Sequence, residues 1–296
     1  YADLENSIPA SGATVYRIAS ISKPITAICL MQLVEKGEVD LQDDIRKYVP
    51  AFPKKRWTIT LWHLMTHTSG IRHYNSGEFG VMEHFEKFED TINIFKDDTL
   101  KFEPGTRYSY STYGFNLLQG VIESVSTRSF ERYLSENIWI PSGMLSAGIE
   151  LKEKLVLNRA RGYNKTDGRV VNARYTDVSI KYAAGGMIAS VEDLVKLFNA
   201  LDSGKLLPEN RVQEMYSVQY QRRNPGNGSG LSWSVNTDSN GRKRVSHSGG
   251  AMGFRSMLIN FPDEKIIIAV ISNQDFMGVG TIANNIASFY IPPQNR

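Results

Sequence analysis

The stretch from Ser20 to Lys36 constrains the fold more than any other. Ile25, Ile28, Leu30, Met31, Leu33 and Val34 leave it apolar nearly all round. A surface helix needs one apolar stripe; apolar residues on every side need neighbours on every side, so the pattern predicts a helix buried inside a sizeable core. Pro24 suits its first turn, where a missing N–H costs nothing, and Gly37 is its stop. The chain has the material to surround such a helix: 296 residues, 41% hydrophobic and 22% charged, make one large domain or two small ones that need no disulfide or metal to fold. The single cysteine, Cys29, lies inside the apolar run and reads as a small buried hydrophobe, so an intrachain disulfide and a Cys-rich zinc site are both excluded. A net charge of +3, from 34 basic and 31 acidic residues, is no footprint for nucleic acid. No apolar run reaches the roughly 18 residues of a membrane span, and no charged-then-apolar leader stands at Tyr1.

Downstream, residues 38–60 read as irregular. A short helix is expected around Leu61–Thr66 and a polar helical stretch over 75–100. Helical spacing of Phe115, Leu118, Ile122 and Val125 predicts a helix from Tyr113 to Ser126, with another over Phe130–Ile138. Residues 150–180 mix short strands and loops. Ser190, with Asp193 three residues on, opens a further helix through an acidic capping box, and Glu209–Tyr216 adds one more. Strands are then expected at Leu231–Val235, Arg244–His247, Arg255–Phe261 and Ile266–Ser272, before a last helix over Val279–Tyr290. Upstream of Ser20 no strand stands out. Helices followed by a meander of strands make an α+β fold.

Three short groups can carry chemistry. In Ser20-Ile21-Ser22-Lys23 the serine and lysine share one helix face. A lysine in a dry pocket is pushed toward neutrality and can take the serine proton. Ser20 could also be a plain helix cap beside a solvated lysine, but a surface cap would not open a buried helix. Tyr108-Ser109-Tyr110-Ser111-Thr112 follows the turn at Pro104-Gly105 and precedes a helix, a place from which a phenol can be aimed into a cleft; nearby cations would lower its pKa. Aromatic loop packing is the plainer alternative. Ser246-His247-Ser248-Gly249-Gly250 ends an expected strand, and its glycines let a backbone present N–H groups to an oxyanion. Ser248 as nucleophile would need a Gly-x-Ser-x-Gly elbow, whose first position is Ser246 here. His63, His67 and His73 invite a metal, but the His-Glu-x-x-His pattern is missing and packing is the better reading. Arg242-Lys243-Arg244 after Asn240-Gly241 reads as the solvated end of a hairpin. Gly226, Gly228 and Gly230 lack the context of a phosphate loop. No cofactor and no metal are expected.

The order Ser-x-x-Lys, Tyr-x-Thr, His-Ser-Gly resembles the serine β-lactamase and penicillin-binding protein superfamily in its class C-like branch. Arg17-Ile18-Ala19-Ser20, Leu64-Met65-Thr66-His67-Thr68-Ser69-Gly70, Pro104-Gly105-Thr106 and Ala184-Gly185-Gly186-Met187 extend the likeness over most of the chain. Ser69-Gly70-Ile71-Arg72-His73-Tyr74, Asn158-Arg159-Ala160-Arg161 and the Tyr-Ser-Thr triplet are most similar to its mitochondrial serine β-lactamase-like members. The resemblance implies an antiparallel sheet flanked by helices, an α/β/α sandwich with an inserted all-helical subdomain. On the numbering here that is one catalytic domain over 1–296, its α/β part at 1–50 and 185–296 and its mainly helical part at 51–184. In such folds a helix and early strands precede the nucleophile, more than the residues before Ser20 can hold.

Carried over by position, the resemblance makes Ser20 the acylated nucleophile, Lys23 its proton acceptor and Tyr110 the proton carrier to the leaving group. The N–H groups of Ser20 and Gly250 form the oxyanion hole, and Thr112, Ser248 and Gly249 line the substrate. His247 stands where many members have lysine, Ser248 where they have threonine and Thr112 where most have asparagine. A histidine in place of a fixed cation predicts activity that varies with pH through the neutral range. The implied function is hydrolysis of a peptide or β-lactam amide through a Ser20 acyl-enzyme. A carboxylesterase on the same fold and an assembly or filament-forming protein are the alternatives. The implied partners are a small-molecule or peptide substrate and a homo-oligomer, in an extracytoplasmic location.

Overall fold

The computed structural model describes residues 1–222, 227–238 and 241–291; Gly226 and Asn240 lie outside the described residues. A two-residue strand β1 (Tyr16–Arg17) and a 3-10 turn (Ala19–Ile21) lead into helix α1 (Ser22–Glu35). Then come α2 (Leu61–Met65), α3 (Phe88–Asn93), α4 (Thr112–Ser126), α5 (Phe130–Leu134) and α6 (Ile140–Ser142). Strand β2 (Gly148–Ile149) and the hairpin β3 (Tyr163–Thr166) and β4 (Arg169–Asn172) precede α7 (Tyr182–Gly185), β5 (Met187–Ala189), α8 (Val191–Asp202) and α9 (Glu209–Met215). The last third holds β6 (Tyr220–Gln221), β7 (Asn227–Ser229), β8 (Ser234–Thr237), β9 (Lys243–Ala251), β10 (Phe254–Phe261), β11 (Ile266–Ser272) and the closing helix α10 (Val279–Tyr290).

Helix α1 is buried on all sides, as its composition demands: every residue from Ser22 to Met31 is shielded from solvent. It packs against α4 and α7, and Gly37, at φ +72°, lets the chain turn away at its end. The main sheet is antiparallel in the order β11-β10-β9-β8-β7-β6. Both its faces are covered. Leu258, Ile267, Ala269 and Ile271 join the large core around α1, while Ile259, Phe261 and Ile268 pack against Ala283, Ala287 and Ile291 at α10. Strands apolar on both faces are what such a three-layer sandwich requires, and each buried Ile or Leu contributes about 1.5–3 kcal/mol. A separate small sheet, β1-β5-β2, anchors the segment just before Ser20.

Several elements depart from the sequence reading for local reasons. Residues 75–100 form only a 3-10 turn at Glu78–Gly80 and the short α3, because this stretch wraps the Arg72 guanidinium. Arg72 donates to Glu78 at 2.6 and 3.0 Å and to the Ile94 carbonyl at 3.0 Å, and also pairs with Asp98. The strand expected at Leu231–Val235 starts at Ser234, since Gly230 N bonds to the Trp233 carbonyl at 2.9 Å across a turn with Ser232 at φ +72°. Strand β9 does not stop at His247; it runs on to Ala251, with Gly249 opposite Ser256 and Gly250 opposite Arg255. The middle stretch is not purely helical, for it carries the β3–β4 hairpin. Tyr16–Arg17 is the strand upstream of Ser20 that alternation did not show, being two residues long.

Candidate active site

Ser20 lies in the 3-10 turn that opens α1, and four contacts fix that turn. Ile18 N donates to the Met187 carbonyl at 3.1 Å, and Ser256 Oγ donates to the Ile18 carbonyl at 2.8 Å. Ser22 Oγ donates to the Ala19 carbonyl at 2.7 Å and accepts from Met187 N at 3.2 Å. Ala19 is thereby held at φ +49°, left-handed for a residue with a Cβ, at a cost of about 1–3 kcal/mol. Strand β9 passes against this turn with nothing to spare. A Cβ on Gly249 would stand 2.4 Å from the Ile18 carbonyl oxygen and 2.2 Å from Ser256 Oγ. Pairing with β8 ends at Ser246, so His247 to Ala251 border Ser20 on an open edge.

Lys23 is wholly buried. Its Nζ donates to the Ala184 carbonyl at 2.6 Å and lies 3.3 Å from Ser20 Oγ and 3.4 Å from Thr112 Oγ1. Burial first, and the charge of Lys181 second, push its pKa well below that of a free lysine. An unprotonated amine with its hydrogens directed at Ala184 and Thr112 has a lone pair for the serine proton. Tyr110 shares a hydrogen bond with Ser20, and its ring centroid is 4.8 Å from Lys23 Nζ. Contrary to the sequence expectation, its pKa is raised, because burial outweighs the Ser20 bond. The phenol therefore keeps its proton and has one to give.

The loop carrying Tyr110 is tied down by the turn after α2. Gly105 N donates to the Thr68 carbonyl and Ser109 N to the His67 carbonyl, both at 2.9 Å. Ser111 N and Thr112 N donate to His67 Nδ1 and His73 Nδ1, each at 3.2 Å. These two histidines thus serve the N-terminus of α4, and His63 closes a capping box with Thr60 at α2. Among the described residues no group of His, Cys, Asp and Glu is placed to hold a metal.

His247 Nδ1 lies 2.8 Å from the Ser248 carbonyl oxygen, which can only accept, so Nδ1 carries the proton and Nε2 is an acceptor. Crowding in the cleft holds its pKa below that of free histidine. It is neutral at pH 7, and the titration expected through the neutral range does not arise from it. Thr112, expected to line the substrate, is instead 2% exposed beneath Lys23. Ser248 is exposed and Gly250 half-buried on the open part of β9.

Beside Tyr110 and His247 lies a cavity of about 150 Å³ that sequence reasoning missed. His67, Ser232 and Trp233 line it, each with a buried polar atom that has no hydrogen-bond partner among the described residues: Nε2, Oγ and Nε1. Arg222 reaches in, its guanidinium 4.1 Å from the Tyr108 ring and its Nε donating to Ser229 Oγ at 2.9 Å. Nothing in the local sequence marks Arg222. His67 was visible as one of three histidines and within the Leu64–Gly70 run, but not as part of a cavity.

A profile of the family described as Beta-lactamase matches residues 1–289. The mitochondrial serine beta-lactamase-like protein LACTB of Homo sapiens is 30% identical across 97% of this chain and 72% of that protein. The octameric penicillin-binding protein homologue from Pyrococcus abyssi superposes with a TM-score of 0.86 at 28% identity, covering 98% of this chain and 68% of its own. The D-stereospecific amidohydrolase from Streptomyces sp. gives 0.83 at 27% identity, over 94% of this chain and 87% of its own.

Proposed function

This chain belongs to the beta-lactamase family, and from that membership and the geometry above we propose that it is a serine hydrolase cleaving an amide bond through an acyl-enzyme on Ser20. The observation that carries this reading is Lys23, buried and 3.3 Å from Ser20 Oγ with its pKa pulled far down. In the first step Ser20 Oγ bonds to the substrate carbonyl carbon while its proton passes to Lys23 Nζ. The carbonyl oxygen becomes an oxyanion facing the N–H groups of Ser20 and Gly250. As the C–N bond breaks, Tyr110 gives its phenolic proton to the departing nitrogen and recovers one from Lys23. Water then attacks the ester, its proton following the same path back, and Ser20 is released.

A phenol held protonated by burial favours an amide over an ester, since an amine must be protonated to leave. Hydrolysis of peptide or β-lactam amides fits both the amidohydrolase and the penicillin-binding neighbours in kind. Ser248 and Gly249, on the open edge of β9, are the residues we assign to the substrate backbone. Among the described residues no helix is long and apolar enough to cross a membrane.

The test is intact mass after incubation with a serine-reactive fluorophosphonate. One adduct on the wild type and none on Ser20→Ala is the expected result. Equal labelling of the variant, or a folded wild type that takes no label, would overturn the assignment.

A further inference from the structure

Lys181, between α4 and α7 in the fold, is 6% exposed, and among the described residues no carboxylate forms an ion pair with it. Its Nζ donates to the Phe79 carbonyl at 3.3 Å and stands 4.7 Å and 5.4 Å from the ring centroids of Phe79 and Tyr74. An ammonium this buried, whose direct contacts among the described residues are a carbonyl and two ring faces, is costly to keep.

Two bridges connect Lys181 to the acylating pair. The first is Gly185. A Cβ there would lie 3.5 Å from Lys181 Cδ and 3.8 Å from the carbonyl carbon of Ala19, so this glycine is the whole separation between the lysine stem and the turn of Ser20. The residue before it, Ala184, supplies the carbonyl that takes Lys23 Nζ at 2.6 Å. The second is Tyr74, whose ring faces Lys181 and whose hydroxyl is hydrogen-bonded to Thr112, itself 3.4 Å from Lys23 Nζ.

Among the described residues the other titratable groups around Lys23 are neutral near pH 7. His67 comes from the turn after α2, His73 and Tyr74 from the loop that follows, Tyr110 from the approach to α4 and His247 from β9. The three histidines are all held below their ordinary pKa, mainly by burial, and the two phenols above theirs. Glu78 is engaged by Arg72 and Glu150 by Arg17, while Arg222 lies beyond His67 and His247 against Tyr108. Lys181 itself is lowered to about 8, by burial first and then by Arg17, with Glu150 opposing, and so stays charged at pH 7.

We propose that Lys181 is a positioning residue: its positive charge, across Gly185 from the turn of Ser20, keeps the Lys23 amine free of a proton and ready for that of Ser20. This rests on the reading of Ser20 and Lys23 as the acylating pair. It places the cation of the site behind the base, on a different element from the strand where His247 stands.

The experiment is the pH dependence of the fluorophosphonate labelling rate, followed by intact mass, for the wild type, Lys181→Met, Lys181→Gln and Lys181→Arg. Loss of a neighbouring like charge makes Lys23 easier to protonate. Both neutral variants should therefore carry the acidic limb of the profile upward by roughly one pH unit. At a pH on the wild-type limb their labelling should be about tenfold slower, with a smaller change at the alkaline plateau. Lys181→Arg, which keeps the charge, should leave the limb in place. A neutral variant with wild-type circular dichroism and an unmoved limb overturns the proposal, even if its plateau falls, because packing alone would lower the plateau and not shift the limb. A wild type that takes no label fails the Ser20 reading instead, and the role of Lys181 with it.

Discussion

His247 occupies the place where a fixed cation was expected, yet its Nδ1 proton is committed to the Ser248 carbonyl and its ring stays neutral. The expected outcome is that His247→Gln leaves the acidic limb of labelling where it is. His247→Lys, by adding a charge beside Lys23, should move that limb to lower pH. Rates measured from about pH 4 to 9 decide this; a limb that moves with Gln would make His247 a titrating member of the site. That Ser20, Lys23 and Tyr110 lie together was legible from the order of their motifs, which resembles that of the beta-lactamase family. Lys181 and Arg222 were not, and Thr112 was read as lining the substrate and not as lying beneath Lys23. What each does depends on which distant residue packs beside it, as Thr112 on α4 does beneath Lys23 on α1. No local pattern records that.

The N-terminus of α4 depends on two neutral histidines, since His67 and His73 each accept a backbone N–H there. Both have folded pKa values below the ordinary 6.5, that of His73 at about 4. Their contribution to stability is therefore complete above pH 6.5 and is lost as pH falls toward 4, where the unfolded chain binds protons that the fold refuses. Thermal midpoints should drop across that window, and His73→Gln, which keeps an acceptor and does not titrate, should reduce the drop. An equal drop in the variant would assign it to other groups. Helices α1, α4, α8 and α10 could be placed from apolar spacing and caps, and the Ser190–Asp193 capping box is present as expected. Residues 75–100 could not, because their shape follows the Arg72 guanidinium and not a periodicity of their own.

At the scale of the molecule, one buried clamp joins the first strand to the middle of the chain. Arg17 donates to Glu150 at 2.7 and 2.8 Å and to Thr176 Oγ1 and its carbonyl at 2.8 Å each. Glu150→Ala would leave the guanidinium buried with its charge uncompensated, a loss of about 3–5 kcal/mol. The thermal midpoint should fall by several degrees; an unchanged midpoint would show that the pair adds no net stability. The α+β character was legible from helices followed by a run of strands, and the three-layer sandwich only from the family resemblance, whereas β6 and β7, short and polar, and the β3–β4 hairpin carried too little pattern to order. The Ser256–Ile18 bond, 238 residues apart in sequence, also has a consequence in time. The turn holding Ser20 is made well before the strands that press on it. At ~5–20 residues per second, roughly 10–50 s separate the two. For that interval the nascent chain carries Ser20 and Lys23 without the strands that border them, so on the reading proposed here Ser20 can be acylated only after β9 and β10 have closed on its turn.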